Sequence, residues 1–426
     1  MGGAPLSGAH IAERVVGTAE PAGLPRELSR RQLLGISVFW LPLSVIFDPL
    51  NALILPERVE RLTASGTATA VGLLTFAGLA IAAVVQPLAG HASDVVRHRL
   101  GRRGVIAFGS VAILAGLALL VVAPSLAVLG LAYAIIQSGV SVAQAAQQGF
   151  IPDLVPYGQR GRASGLKGLM DLAGASLGFA AVGGLLGGAG IGATAGFLGA
   201  ACAVGWWATA RLVDEPPAPG NERAWRWTDS FRIDLPDRAP FVRAVAARCL
   251  FLVPTFAVGR FLLLFVEERF ATSTSDATEQ TGLILGVLAL VTALAAVPAG
   301  RLADRIGRRT VMLAGALASA VGVALFPAAP SIALLMVFGA LMAVGSAAFA
   351  AANWAFTADH VPPSAAGRSF GIANLATVGA AAVAGLCGLV IDAADPGGGA
   401  FTAFFLLASA LFLLSAGVVR RLADRG

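Results

Sequence analysis

The chain has 426 residues, 57% of them hydrophobic and only 13% charged, and its mean hydropathy is +0.80. A soluble domain carries about 25% charged residues, so the apolar excess is too great for a water-facing surface. The formal charge of +6 comes from arginines dispersed over separate segments, which argues against a nucleic-acid footprint; no nucleic-acid partner is expected.

Met1 to Arg31 is polar, rich in Gly and Pro and without an apolar core, so it is read as a tail (1–32) and not as a cleavable signal. Stretches of roughly twenty apolar residues can cross a hydrocarbon core about 30 Å thick. They are expected near 33–55, 69–90, 104–123, 125–150, 163–186 and 191–213. They resume near 243–266, 280–300, 310–328, 331–356, 368–391 and 400–420. Lipid offers the backbone no hydrogen-bond partner, so each is read as a helix. The expected fold is an all-α membrane protein of twelve transmembrane helices in two pseudo-symmetric six-helix halves, 33–213 and 243–426. The stretch 214–242 joins them as a linker, and its Trp225 and Trp227 suit a membrane–water boundary. Cys202, Cys249 and Cys387 fall inside apolar runs and are expected to act as small packing residues.

The arginines set an orientation. Both termini and the even-numbered loops hold most of them; Arg58, Arg61 and Arg269 stand on the other side, and Lys167, Arg248 and Arg260 lie within helices. The basic side is expected to face the cytoplasm, with both termini there and the protein in the cell inner (plasma) membrane. The arginines would meet anionic head groups of the bilayer.

Two motifs occur twice. GHASDVVRHRLG from Gly90, followed by Arg102 and Arg103, returns about 210 positions later as GRLADRIGRR from Gly300. Each copy lies between two apolar stretches and is expected to form a tight turn. IPDLVPYGQRGRASG from Ile151 is matched by TADHVPPSAAGRSFG from Thr357, which puts Asp153 and Asp359 at helix ends; Arg160 belongs to the first motif, and the Gly-Arg pair of each opens the next helix. An acid at a helix end beside arginines of a neighbouring hairpin makes a latch. It is worth about 0–1 kcal/mol when exposed and more when partly buried. Such an internal repeat marks a chain built from two copies of one six-helix unit, as alternating-access transporters are.

Ionisable and polar groups within the helices are costly, so each is a functional candidate. Ser37, Trp40, Ser44, Asp48 and Asn51 recur at intervals of three and four on one face of helix 1, and Pro49 is expected to loosen the helix beside Asp48. Helix 4 carries a second stripe, Gln137, Ser141, Gln144 and Gln148. Arg260 on helix 7 lies at about the depth of Asp48 and could pair with it; Arg248, nearer the cytoplasmic end, is expected to snorkel toward head groups. Lys167 and Asp171 on helix 5 are placed to pair, as a gate or as a neutralising couple. On helix 10, Ser346 and Asn353 share a face, and Trp354 is read as an interface anchor. The candidate ion-coupling residues are therefore Asp48, Asp171 and Arg260. The candidate substrate ligands are Trp40, Ser44, Asn51, Gln137, Ser141, Gln144, Gln148 and Asn353.

The G-x-x-x-D-(R/K)-x-G-(R/K)-(R/K) hairpin resembles the signature of the major facilitator superfamily, and the resemblance spans all twelve helices. Gly300, Asp304, Arg305, Gly307, Arg308 and Arg309 match it fully. The first copy keeps Gly90, Asp94, Gly101, Arg102 and Arg103 but has Val95 where a basic residue is usual, and four extra residues before Gly101. That elongated hairpin, with PDLVPYGQRGRASGLKGLMD, is similar to the glycoside–pentoside–hexuronide cation symporters and the sucrose–proton symporters. The resemblance implies that helices 1, 4, 7 and 10 line a central cavity, and that the hairpin acids and arginines lock the cytoplasmic side in the outward-open state.

Other chemistry finds no site in the sequence. His10, His91, His98 and His360 lack metal-ligand spacing, Lys167 is followed by Gly168 and not by the Ser or Thr of a P-loop, and GAGIGA from Gly188 lies between membrane helices. No cofactor, metal or enzymatic activity is expected. The leading expectation is a secondary active transporter, a monomer coupled to a proton or sodium ion, that takes up a small polar solute such as a sugar or glycoside. Glutamines beside Trp40 suit the polar edges and apolar face of a sugar. A proton-driven exporter of drugs or metabolites is the alternative; glycines 174, 178, 183 and 184 of helix 5 partly resemble the exporter pattern, without its Gly-Pro pair. A non-transporting receptor or assembly factor of the same fold is a third.

Overall fold

The computed structural model describes residues 27–156, 159–215, 238–271, 273–360, 366–394 and 399–422. Twelve helices there are long and apolar enough to cross a membrane. Helices 1 to 6 are Arg30–Glu60, Thr67–Gly90, Arg99–Val122, Leu126–Ile151, Arg162–Gly188 and Gly190–Leu212. Helices 7 to 12 are Ala239–Arg269, Thr274–Ile306, Arg308–Ala328, Ile332–Thr357, Ala376–Ala393 and Ala400–Val419. The expected spans are all present, but helices 1, 7 and 8 run longer than the apolar stretches alone. Trp225 and Trp227 lie outside the described residues.

Helix ends follow local chemistry. Ser125 and Ser273 accept the backbone N–H of Val128 and Asp276 and so cap helices 4 and 8. Ser29 and Gln32 form a reciprocal capping box at the start of helix 1. The first charged hairpin departs from the expected tight turn: helical backbone runs from Thr67 to Val122, broken only at Gly101 (φ 66°, ψ 169°). Four additional residues are one more turn of α-helix, so the elongated hairpin extends helix 2 and bends at the glycine. Gly101 and Gly307 (φ 95°) both have the positive φ that glycine adopts without steric cost.

The two six-helix halves meet through helix 2 against helix 11 and helix 5 against helix 8. Their closest approaches fall on the side remote from Gly101 and Gly307. A Cβ on Gly72 of helix 2 would stand 2.1 Å from the Gly385 carbonyl oxygen of helix 11, and one on Gly183 of helix 5 would stand 2.7 Å from Gly282 Cα of helix 8. Backbones come this close in lipid only where side chains are missing. On that same side Asp392 of helix 11 accepts the Thr69 N–H at 2.6 Å, tying the first turn of helix 2 to the other half. Helices 3, 6, 9 and 12 stand outermost and expose apolar side chains such as Phe108, Val204, Val321 and Leu414, the face a bilayer covers.

Candidate functional site

Between the halves lies a cavity of about 430 Å³, within the range of about 300–1,000 Å³ usual for small-molecule sites. Its N-terminal wall mixes apolar side chains such as Phe47, Leu79 and Phe179 with most of the cavity's polar groups: Asp48 and Asn51 beside Trp40 on helix 1, Gln86 on helix 2, Ser141, Gln144 and Gln148 on helix 4, and Lys167 on helix 5. Its C-terminal wall is largely apolar, with Phe256, Leu262, Leu285, Leu288 and Met342 around Arg260, Thr292 and Ser346.

Helix 1 is shaped by Pro49. Lacking an N–H, it leaves the ladder incomplete, and the helix widens into a π-type turn over Leu50–Ile54. Asn51 occupies that turn. Its Nδ2 donates to the Phe47 carbonyl at 2.6 Å, and its Oδ1 accepts from the Tyr133 hydroxyl at 2.6 Å. Gln137 Nε2 donates in turn to the Tyr133 oxygen at 2.8 Å. Gln137 is fully buried and stands behind the cavity wall, so the structure places it as a support for Asn51 and not as a direct ligand.

Ser44 is also drawn away from the cavity. Its Oγ donates to Asp171 Oδ1 at 3.3 Å, and Lys167 Nζ lies 3.9 Å from Asp171 Oδ2 and 3.9 Å above the Trp40 ring. Lys167 and Trp40 reach the cavity, while Ser44 and Asp171 stand behind them. This packing depends on a close crossing of helices 1 and 5, where a Cβ on Gly174 would come within 2.4 Å of the Leu41 carbonyl oxygen. Two of the helix 5 glycines singled out in the sequence, Gly174 and Gly178, thus face helix 1, and Gly183 faces helix 8.

Asp48 and Arg260 both line the cavity, yet no ion pair joins them. Asp48 has no cation within ion-pair distance among the described residues. Arg260, 5% exposed, donates through Nη1 to the Ala381 carbonyl of helix 11 at 2.9 Å, and its Nε has no partner. Arg248 does not snorkel. It is buried, donates to Thr377 Oγ1 at 3.1 Å and Asn353 Oδ1 at 3.3 Å, and lies 4.1 Å over the Trp354 ring. Asn353 is fully used there, its Nδ2 donating to the Ala244 carbonyl at 3.1 Å. The structure therefore places Asn353 as a clasp between helices 7 and 10, outside the cavity lining, with Trp354 as a seat for Arg248.

The hairpin motifs form one charged cluster per half. In the first, Arg102 Nε meets Asp153 Oδ2 at 2.5 Å and Nη1 reaches Ser93 Oγ at 3.1 Å, with the Arg102 and Asp153 side chains only 6% and 18% exposed. Gly149 makes this possible, since a Cβ there would stand 2.1 Å from Arg102 Cζ. Arg103 Nη1 donates to the Ala210 and Val213 carbonyls at the end of helix 6. Glu215 accepts the N–H groups of Arg102 and Arg103 at 2.7 and 3.1 Å, capping the helix after the Gly101 break. In the second cluster Arg308 pairs with Asp304 at 2.6 Å and with Asp359. Arg309 Nη2 donates to the Arg420 carbonyl at the end of helix 12. Arg305 is exposed; a Cβ on Gly90 would stand 4.0 Å from Ala145 Cβ, and one on Gly300 would meet nothing within 4 Å. The side chains of Asp94 and Arg160 lie outside the described residues.

Sequence reasoning missed Gln86, Tyr133 and Glu215. Gln86 is a lone polar residue before Pro87 in an otherwise apolar stretch, a signal that was there to read. Tyr133 and Glu215 act through partners distant in the chain, which periodicity does not reveal.

A family model described as Major Facilitator Superfamily matches residues 32–277 and 249–425. Among solved structures, the fold is similar to the nucleoside transporter NupG (TM-score 0.69, 16% identity, covering 92% of this chain and 98% of that one). It is also similar to a bacterial homolog of the human lysosomal transporter Spinster in an inward-facing and occupied conformation (TM-score 0.68, 15% identity, covering 92% and 96%). At these identities the likeness is one of fold.

Proposed function

Because the chain belongs to the Major Facilitator Superfamily, it is a transporter and not an enzyme, and we propose that it takes up a small polar solute by alternating access, coupled to a proton or another cation. The halves 33–213 and 243–426 would rock about the cavity, tethered by 214–242. The bias of arginines toward one side supports placing the charged hairpins and both termini in the cytoplasm. Close backbone approaches on the opposite side then make the present arrangement the inward-facing one. In the outward-facing arrangement the hairpin clusters of the two halves would come together and lock the cytoplasmic side.

The observation that carries the coupling proposal is Asp48, an acid on the cavity wall that has no cation within ion-pair distance among the described residues. A proton or sodium ion arriving there neutralises the helix 1 wall, and its release restores the charge, so the occupied and empty forms favour different packings of the halves. Asp171, held by Lys167 and Ser44, is the second candidate. The amides of Asn51, Gln86, Gln144 and Gln148 with the Trp40 ring suit a hydroxyl-rich solute such as a sugar or glycoside. The apolar C-terminal wall favours one other reading, a proton-driven exporter of amphipathic drugs or metabolites.

Proteoliposomes loaded with sugars, glycosides and lipophilic cations, tested with and without pH and sodium gradients, separate the two. Gradient-driven uptake of a polar solute, abolished by Asp48→Asn without loss of purified protein, is the expected result. Accumulation at the wild-type level in Asp48→Asn would remove Asp48 from the coupling role. Gradient-driven export of a lipophilic cation would replace uptake with the second reading.

A further inference from the structure

We infer that Arg260 is the docking point for an acidic group on the transported solute, so that the substrate class is a small organic oxyanion. This rests on the transporter reading and narrows its substrate. The geometry is that of a cation held ready for an anion. Arg260 sits within helix 7, nearly buried, and is one of the residues that line the cavity. One nitrogen is used on the Ala381 carbonyl of helix 11, and Nε is buried without a partner. Among the described residues no acid forms an ion pair with it: the Tyr133 hydroxyl from helix 4 and the Cys387 thiol from helix 11 are its electrostatic neighbours, and both are neutral in their ordinary forms.

Other cations near the cavity are satisfied. Lys167 has Asp171 and the Trp40 face. Arg248, about three turns toward the hairpin side, has Thr377, Asn353 and the Trp354 ring, and stands outside the lining. An arginine taken out of water without a counter-ion is strongly unfavourable unless something supplies the charge. A guanidinium fork also matches a carboxylate or phosphate in bidentate fashion. The polar wall across the cavity, Trp40 with Gln144 and Gln148, would then hold the neutral hydroxyl-bearing end of the same solute.

Asp48 lines the same cavity and could take this role instead by approaching Arg260 in another conformation, and the test includes it. Purified protein is heated with matched solutes that differ only in charge: gluconate against sorbitol, lactate against 1,2-propanediol, and glycerol 3-phosphate against glycerol. At least one acid should raise the melting temperature where its neutral partner does not, and Arg260→Gln should weaken that acid at least tenfold. Arg260→Gln without ligand should melt no lower than wild type, since it removes an unpaired cation, and Arg260→Lys should retain part of the acid's effect.

The inference is overturned if neutral partners stabilise as well as acids, if no acid stabilises, or if Arg260→Gln binds the acid as tightly as wild type. It is also overturned if Arg260→Gln and Asp48→Asn each lower the melting temperature and the double variant restores it, the pattern of a resident ion pair. Neutral-solute accumulation that survives Arg260→Gln in proteoliposomes sinks the oxyanion while leaving coupled transport standing. An acid that binds through Arg260 but is never accumulated under any gradient does the reverse.

Discussion

Gly72→Ala is a one-carbon change whose effect can be worked out from the contact it meets. The new Cβ would stand 2.1 Å from the Gly385 carbonyl oxygen, where ordinary contact begins near 3.4 Å, and a helix backbone cannot swing aside as a side chain can. Helices 2 and 11 must therefore part by roughly 1 Å at this level. Overpacking of that kind costs about 1–3 kcal/mol, and it falls on the arrangement in which these helices touch. The population closed on this side should drop roughly 5- to 150-fold relative to the open one. Spin labels at the exposed Ser65 and Ser273, one on each half, in a background with the three cysteines replaced by alanine, report the separation by pulsed dipolar spectroscopy. The expected outcome is a shift to longer distances in Gly72→Ala. Gly184→Ala on helix 5, where a Cβ meets nothing within 4 Å, should leave the distribution unchanged. A wild-type distribution in Gly72→Ala, or an equal shift in Gly184→Ala, would refute the steric argument.

The two hairpin clusters should differ in thermal unfolding. Asp153→Ala takes a largely buried carboxylate from Arg102 Nε and should destabilise by about 1–3 kcal/mol, whereas Asp359→Ala removes an exposed acid and should cost at most about 1 kcal/mol. Tyr133→Phe leaves Asn51 Oδ1 and Gln137 Nε2 without their shared hydroxyl, so stability should fall by about 1–3 kcal/mol, and solute affinity with it if Asn51 is a ligand; calorimetry on the purified protein checks both. Glu215→Ala removes the cap of the helix that follows Gly101 and should cost about 0.5–2 kcal/mol, visible as faster amide exchange at Arg102 and Arg103.

Helix number, the repeated hairpins and the polar stripes could be read from the sequence because each depends on residues close together in the chain. Trp40, Asp48 and Asn51 do reach the cavity, as their common face on helix 1 suggests. Ser44, on the same face, is turned to Asp171, 127 positions away. Periodicity gives a direction around a helix axis; what stands in that direction is decided by other helices. Asn353 and Gln137 illustrate the same gap, since each polar side chain meets a buried group on a neighbouring element before it can meet the cavity. Nothing nearby in sequence offers Arg248 a partner, so the sequence alone points to snorkelling, yet Thr377 and Asn353 both meet it in space. The elongated first hairpin looked like a turn on composition, and only the backbone shows that its extra residues add one helical turn before Gly101.

The widened turn after Pro49 acts as a phase shifter. An α-helix advances about 100° per residue, so the additional residue carried by Leu50–Ile54 rotates the outer third of helix 1 by about that angle relative to the stripe that faces the cavity. Beyond it, Glu57 is buried against Arg61 at 2.5 Å, and Arg58 Nη2 reaches the Ala123 carbonyl at 3.0 Å. Those contacts hold only at the rotated setting. One continuous helix thus serves two neighbourhoods with different angular demands, and a single-residue deletion within the turn would turn one of them out of register while leaving the composition of both untouched.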